Sequence, residues 1–522
     1  MSEEVVLGAP ILWLSILTPP LLAALAGALG FRSVWHVRLV AYASAALFSL
    51  PAAATLWYLY VSGHRALRDP LYVDLRSQGF GALGLAVDHF SAPVVIGVSL
   101  VTSLVSIYSI KYMEHRIAEM EKEGVHAPSL TAYYIMYLLF SSSMLGVAMS
   151  TNMIELYVFL ELSLISSFLL IALYGYGDRF FVALLYFVWT HVSSMLILLG
   201  VLYFGLKAGS FDILDISSLS YVAAYSSVEL KGLSTLIPIL MTLGLLIKLA
   251  AFGVHVWLPY AHAEAPTPVS ALLSPNMVGL AGYLIARLGF VLFGNIMTLL
   301  STPLIVLALV SIVFGGLLAV RENDIKRLLA YSSVSQMGYI LLGIAALSSY
   351  GLAGAMLHYL AHAVGKAILF MVAGVFIMEL EGLRSVEKAG GLAKVYPVTS
   401  GLAVYGFMHL MGMPPAMGLW SKILIFFGLV ETYLATPLAL AAIAVAATFC
   451  FLATVFYVTT ALSKIFFGET RGEWSVKEEF DEPKATILVL GVTGLLLFML
   501  TVAIAGPLLE ASAELLKAGG AP

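Results

Sequence analysis

The sequence predicts an all-α integral membrane protein of about fourteen transmembrane helices, and three observations carry that prediction. Of 522 residues, 61% are hydrophobic and only 11% are charged, whereas a soluble domain averages roughly 25% charged. The apolar residues gather into runs near the ~20 residues that a bilayer core requires of a helix. The basic residues sort by the parity of those runs, as they do when cytoplasmic loops collect Lys and Arg.

A sliding apolar window places spans near 9 to 30, 37 to 62, 86 to 112, 130 to 149, 153 to 174, 180 to 205 and 233 to 258. Seven more follow near 268 to 293, 299 to 319, 325 to 347, 352 to 378, 398 to 430, 437 to 463 and 485 to 509. The first is expected to be a retained helix, because MSEEVVLGAP is acidic where a signal peptide needs basic residues. Loops after odd-numbered spans hold sixteen basic residues, from Arg32 to Lys484, and the opposite loops hold six: Arg65, Arg68, Arg76, Lys207, Lys231 and Lys517. This places both termini outside the cytoplasmic membrane. Lys248, Arg287, Lys366 and Lys422 remain within spans. Between the spans only short polar loops are expected, near 63 to 85, 113 to 129, 206 to 232 and 464 to 484, and no soluble domain.

Two spans read as broken. The seventh runs through Lys248 into HVWLPYAHAEAPTP, and the twelfth contains MGMPPAMG before Lys422; proline removes backbone donors that hydrocarbon cannot replace. Interrupted helices in two halves are the mark of a repeat-built transporter. ALLYFVWTHVSS from Ala183 lines up with AMLHYLAHAVGK from Ala355, so span six matches span eleven. The odd offset inverts one repeat relative to the other. The chain divides into helices 1 to 3 (1–129), a first inverted five-helix repeat (130–293), a second (299–463), and a terminal loop with helix 14 (464–522).

A net charge of -4 and no long basic stretch exclude a nucleic-acid arm. One cysteine, Cys450, excludes an internal disulfide and a cysteine-held cluster. No cofactor is therefore expected in this chain, and redox groups belong to partners. Asparagine at four positions and glutamine at two is a depletion that fits a thermophile, although membrane composition also produces it.

The chemistry is expected from ionisable residues inside the spans, which are costly and mark ion pathways. Lys248 lies mid-run, too central to reach the interface, and a buried lysine beside a movable acid can be switched between holding and releasing a proton. Glu161, the deepest acid in any span, is its natural partner; a purely structural ion pair is the weaker alternative. Glu155, nearer the helix start, is a secondary candidate. His358, His362 and Lys366 recur every four residues and so share one helical face. Two imidazoles and an amine at that spacing can relay protons through intervening water. A metal held by the two histidines is the lesser alternative, since no third ligand is visible, and no metal site is expected. Lys422 follows the break in span twelve and corresponds by position in the repeat to Lys248. Arg287, near the end of span eight, reads as an interface anchor. Trp189, Trp257 and Trp420 read as packing or boundary residues.

These motifs, FLELSLISSF around Glu161, IKLAAFGVHVWLPYAHAEAPTPVSALL around Lys248, ENDIKRLLAYSSVSQMGY from Glu322, HYLAHAVGKAILF from His358 and MGMPPAMGLWSK ending at Lys422, resemble one family. It comprises the antiporter-like subunits shared by Mrp cation/proton antiporters, respiratory complex I and energy-converting membrane-bound hydrogenases, and the resemblance covers nearly the whole chain. It implies fourteen helices with inverted five-helix repeats, a glutamate–lysine pair in spans five and seven, a mid-membrane polar axis, and an exit lysine or glutamate in span twelve. Many members carry lysine or histidine in span eight, where this sequence has Gly279 and, near the histidine position, Ser274. Water helped by Ser274 would have to bridge that gap, or the chain serves as an adaptor. Gln336 stands where some members have histidine. The chain also stops soon after span fourteen, without the long lateral helix of the distal complex I subunit.

The expectation is a proton-translocating subunit of a larger membrane complex. Its partners would be other membrane subunits, and a peripheral hydrogenase-like or iron–sulfur arm, with Na+ handled by sister subunits. The thermophile-like composition tilts this toward an archaeal hydrogenase-type complex. A Mrp-type Na+/H+ antiporter without a redox partner and a non-conducting adaptor are the alternatives. No catalytic chemistry is expected in this chain itself.

Overall fold

The structure, a computed structural model, describes residues 4–30, 33–213, 232–471 and 478–520. Arg32, Lys231 and Lys477 of the charge count lie outside them. Backbone groups in hydrocarbon must pair within their own segment, so apolar runs fold as helices. Among the described residues, eleven helices are long and apolar enough to cross a membrane.

In chain order the helices are α1 (Ile11–Ala28), α2 (Val34–Thr55), α3 (Ala92–Lys122), α4 (Leu130–Met149), α5 (Met153–Tyr174) and α6 (Arg179–Ala208). Then come α7 (Leu233–Lys248), α8 (Trp257–Glu264), α9 (Thr267–Leu272), α10 (Gly279–Arg321), α11 (Ile325–Ala345) and α12 (Ser349–Glu379). The last are α13 (Leu392–Val395), α14 (Pro397–Met411), α15 (Gly418–Tyr433), α16 (Pro437–Ala461) and α17 (Glu482–Ala518). The two expected breaks are present, between α7 and α8 and between α14 and α15.

The structure departs from the hydropathy reading in three places. Residues 63 to 85 are not merely loop: Ala66–Asp74 (β2) and Ala82–Asp88 (β3) form a hairpin, with Val5–Val6 (β1) added parallel on β2. GALGLAVD alternates small and large residues at period two, a strand signal that an apolar window absorbs into the next span. The helix of span three accordingly starts at Ala92 and continues to Lys122, into residues read as loop. Finally, no loop separates spans eight and nine. Helix α10 runs through both, bent where Phe293 leaves helical geometry (φ -153, ψ 47). Residues 214–231 of the expected loop at 206 to 232 are outside the described residues.

Helix starts are fixed by side chains that accept otherwise orphaned amides. Asn152 caps α5 by accepting from Ile154 and Glu155, Asp324 caps α11 through Arg327, and Ser348 caps α12 through Gly351. Two of these caps also make isolated bridges, Asn152 with Asp212 and Asp324 with Ser385. Helix α12 is enclosed on all sides by α3, α11, α14, α15 and α17. His358, His362 and Lys366, which it carries, are therefore enclosed by the protein.

Candidate functional site

The site is an axis of polar side chains running from α5 to α15. At its start, Glu155 is placed in the first turn of α5 by the Asn152 cap, and its Oε2 accepts the Gly84 amide of the hairpin at 3.2 Å. Glu155 thereby ties α5 to β3. Less than two turns on, the Glu161 carboxylate stands 3.3 Å from Nδ1 of His191 on α6. Lys248 is the last residue of α7, at the lip of the break, and is 2% exposed. It lies within electrostatic reach of Glu161, yet its amine has no hydrogen-bond partner among the described residues. The expected Glu161–Lys248 pair is therefore open in this structure, and His191 stands closer to the acid.

Broken helices leave carbonyls that would be orphaned in hydrocarbon. Indole Nε1 of Trp257 donates to Ile247 at 3.0 Å, finishing the end of α7. Beyond the break, the amine of Lys326 donates to the carbonyls of Ala263 (3.3 Å) and Ala265 at the end of α8. In the second half the same task falls to a site residue: Nζ of Lys422 donates to Leu410 at 2.6 Å and lies 4.0 Å above the Tyr339 ring. Here the negative end of the α14 dipole and a π face both favour a cation. Lys248 ends the helix before its break, whereas Lys422 lies one turn inside the helix after its own, so the two lysines are not equivalent relative to the breaks.

On α12 the four-residue spacing does place His358, His362 and Lys366 on one face, each at most 1% exposed. Lys366 donates to the Leu329 carbonyl at 2.5 Å and to Ser332. Both ring nitrogens of His362 are buried without a partner among the described residues. His358 is held at both ends, by Ser421 at Nδ1 (2.9 Å) and by Oε1 of Gln336 at Nε2 (3.1 Å). Gln336 in turn donates to the Tyr457 hydroxyl at 2.7 Å. Ser421 is the neighbour of Lys422 in sequence, so one hydrogen bond brings the ladder to the span-twelve lysine.

Span eight is where the axis narrows. Residues Leu273–Val278 form a π-helical turn between α9 and α10. Within it Ser274 is hydrogen-bonded to Ser333 of α11 at 2.7 Å, and both side-chain polar atoms of Asn276 are buried without partners among the described residues. A Cβ on Gly279 would lie 2.6 Å from the Tyr359 ring, so an aromatic side chain of α12 fills the space beside that position. Arg287, expected as an interface anchor, is held in an ion pair: both oxygens of Asp88 accept from it at 2.6 Å, and it donates to Tyr283 at 3.2 Å.

Sequence reasoning missed three buried or half-buried histidines. His191 sits in the matched twelve-residue segment of span six, but a lone histidine on an apolar helix carries no signal until Glu161 is seen opposite. His262, in α8, is fully enclosed, has no ring partner among the described residues, and is within electrostatic reach of Lys366 and His362. It brings a titratable group of the first half to the second-half ladder. His409, near the end of α14, is enclosed against Tyr405, with ring centroids 4.9 Å apart.

Two family models match this chain: one for the transmembrane region of NADH:quinone oxidoreductase/Mrp antiporter proteins over residues 150–450, and one for the N-terminus of complex I chain 5 over 81–119. Among curated proteins, NAD(P)H-quinone oxidoreductase chain 4-2 of Synechocystis is 32% identical over 388 residues, 74% of this chain and 65% of that protein. Subunit M of F(420)H(2) dehydrogenase from Methanosarcina mazei is 34% identical over 334 residues, 63% of this chain and 66% of that protein. The fold is similar to a chain in the structure of respiratory complex I from Thermus thermophilus with bound NADH, with TM-score 0.80 and 24% identity over 97% of this chain and 99% of that one.

Proposed function

This chain belongs to the NADH:quinone oxidoreductase/Mrp antiporter family, and from that premise we propose that it is a proton-translocating antiporter-like subunit of an energy-converting redox complex. The observation that carries the proposal is the state of its buried lysines. Among the described residues, Lys248, Lys366 and Lys422 are at most 5% exposed and none has a carboxylate within ion-pair distance. A lysine kept for stability has its charge compensated, as the carbonyls of Ala263 and Ala265 do for Lys326, because an uncompensated buried charge is strongly destabilising; the amine of Lys248 has no such partner among the described residues. Lysines that give up and regain a proton need a counter-ion only part of the time.

In this mechanism Glu161 sets the charge state of Lys248, which passes a proton toward His262 and the ladder of His362, His358 and Lys366. Lys422 exchanges it with the opposite side. The order of the residues along the axis supports the sequence of steps, and Ser274 and Asn276 supply polar atoms for water where Gly279 supplies none. Moving one charge against 100 mV costs about 2.3 kcal/mol. That energy comes from partner subunits, which hold the redox cofactors, while this chain holds none. Na+ is carried by sister subunits.

The proposed topology has fourteen crossings, with α7 and α8 forming one, α14 and α15 another, and α10 two. Both termini face outward from the cytoplasmic membrane. The inverted repeats are supported by the paired bridges: Asn152 with Asp212 in the first half and Asp324 with Ser385 in the second, each at a helix-starting cap. A second reading, a non-conducting adaptor, is favoured by Tyr359 occupying the space beside Gly279.

The test is to purify the complex from native membranes and identify its subunits by mass spectrometry. Iron–sulfur or nickel–iron subunits, with donor-driven acidification of vesicles, are expected. Isolation with antiporter subunits alone would assign the chain to a Mrp-type Na+/H+ antiporter instead.

A further inference from the structure

We propose that Tyr359 is the relay residue of the span-eight joint: its phenol hydroxyl, brought by α12, makes the proton link that Gly279 cannot make on α10. The proposal rests on the proton-translocating reading above and assigns the step by which a proton crosses from the first half to the ladder. Gly279 leaves a place beside α10, and the Tyr359 ring fills it. Carbons Cε2 and Cδ2 lie 2.6 Å and 2.7 Å from where a Cβ on Gly279 would stand, and Cζ, which bears the hydroxyl, lies 3.7 Å away. On the other side Cε1 is 3.1 Å from the place of a Cβ on Gly97 of α3. The ring is gripped at both edges, which leaves the hydroxyl hydrogen as its free rotor.

Packing alone does not account for that hydroxyl. Tyr359 is fully enclosed, and its oxygen has no hydrogen-bond partner among the described residues. A buried hydroxyl without a partner opposes folding, whereas phenylalanine would fill the same space between the two glycines without that cost. Two neighbours share the condition. Asn276, three residues before Gly279 in the π-helical turn, is fully enclosed with both amide atoms unpartnered. His362, three residues after Tyr359 on α12 and so its neighbour on the helix surface, has both ring nitrogens unpartnered. Five unpartnered polar atoms thus flank the contact of Tyr359 with Gly279, within about one turn of it on either helix. Buried polar groups left over by the protein are ordinarily served by buried water.

The nearby serines do not supply the link. Ser333 donates to the Leu329 carbonyl at 3.0 Å, so in its 2.7 Å bond with Ser274 it is Ser274 that donates. Both serine hydrogens are committed, and they end at the carbonyl that Lys366 also uses. Ser274 can accept a bond from water but has no hydrogen to pass on. The Tyr359 hydroxyl has both a hydrogen and lone pairs to offer.

The step needs no ionised tyrosine. A protonated water on the Asn276 side gives a proton to the phenol oxygen while the phenol hydrogen passes to the His362 side. One O–H bond forms and one breaks, and the phenol is neutral before and after. Rotation of the hydroxyl resets it. Asn276 carries no proton itself but orders the water that does, and His362 accepts at one ring nitrogen and releases from the other.

The test uses the assembled complex in native membrane vesicles, energised by its own donor, with proton translocation per turnover read by a pH-sensitive dye. Y359F keeps the ring between its two glycines and removes only the oxygen. It is expected to assemble, turn over, hold its thermal midpoint, and lose translocation per turnover several-fold. Adding N276L to Y359F is expected to cause no further loss, because the amide acts through the water beside that hydroxyl. Undiminished translocation in Y359F would overturn the proposal, as would losses that multiply in the double variant. A Y359F complex that fails to assemble would also overturn it, by making the hydroxyl a structural one. K248A separates the two levels: if it abolishes translocation while Y359F does not, only the Tyr359 proposal fails; if neither lowers translocation, the proton-translocating reading fails with it.

Discussion

Replacing Gly279 by alanine is expected to destabilise the protein by about 2 kcal/mol, within the ~1–3 kcal/mol that overpacking a tight core costs. The alanine Cβ would lie 2.6 Å and 2.7 Å from two carbons of the Tyr359 ring, where ordinary contact begins near 3.4 Å. The ring cannot simply withdraw: on its other side Tyr359 already stands 3.1 Å from the place a Cβ on Gly97 would take. It is pinned between two glycines on α3 and α10. Shortening the ring should relieve the strain, so Y359L is expected to be better tolerated in the G279A background than alone, with a coupling of about 1–2 kcal/mol. Lysine at 279 adds the cost of a buried ammonium, about 2.5–3.5 kcal/mol, and G279K should assemble only when Tyr359 is also made small. The assay is the thermal midpoint of the purified complex in detergent for the single and double variants. G279A as stable as the parent, or strictly additive effects with Y359L, would refute the packing argument.

Other variants test other joints of the structure. D88N leaves Arg287 beside a neutral amide; the cost is expected at about 1–3 kcal/mol, below the ~3–5 kcal/mol of a fully buried pair because the Asp88 side chain is 32% exposed. Pairing D88N with R287M should recover part of that loss in thermal midpoint. His89, between β3 and α3, is pushed below the usual histidine value by burial, against the pull of Asp88. Its folded form therefore resists a proton that the unfolded chain accepts near pH ~6.5; stability is full above that pH and falls as pH drops below it. H89Q is expected to flatten the decline in thermal midpoint between pH 7.5 and 5.5. K422M keeps the length of the side chain but has no proton to exchange. It should abolish translocation while assembly persists, and retained translocation would remove Lys422 from the axis.

Much of this was legible in the sequence because hydrocarbon imposes a simple rule: apolar runs become helices, and proline in or beside a run marks a candidate break, although Pro19, Pro51, Pro303 and Pro507 stay inside continuous helices. Both breaks, at Lys248 and before Lys422, follow from that rule, as does the common face of His358, His362 and Lys366. The hairpin before α3 was hidden because its alternation of apolar and small residues also satisfies an apolar window. The merger of spans eight and nine was hidden because the bend at Phe293 comes from backbone geometry, not from a proline or a polar loop. The site residues that escaped, His191, His262 and His409, are single histidines in apolar surroundings, and their meaning lies in what a different helix places opposite them. The Glu161–Lys248 pairing could be suspected from the sequence, but distance along the chain could not say that a third side chain stands closer to the acid. Gly279 was visible as a departure, while the cause, the Tyr359 ring in the adjacent space, needed the packing of α12 against α10.

The central claim is that the buried axis moves protons. Lys248→Ala in the assembled complex, reconstituted in sealed vesicles and energised by its own donor, tests it most directly, because this lysine joins the acid of the first half to the rest of the axis. The account predicts that the complex assembles and its partners still turn over, but that acidification of the vesicles is lost. Undiminished proton translocation by a fully assembled K248A complex would contradict it.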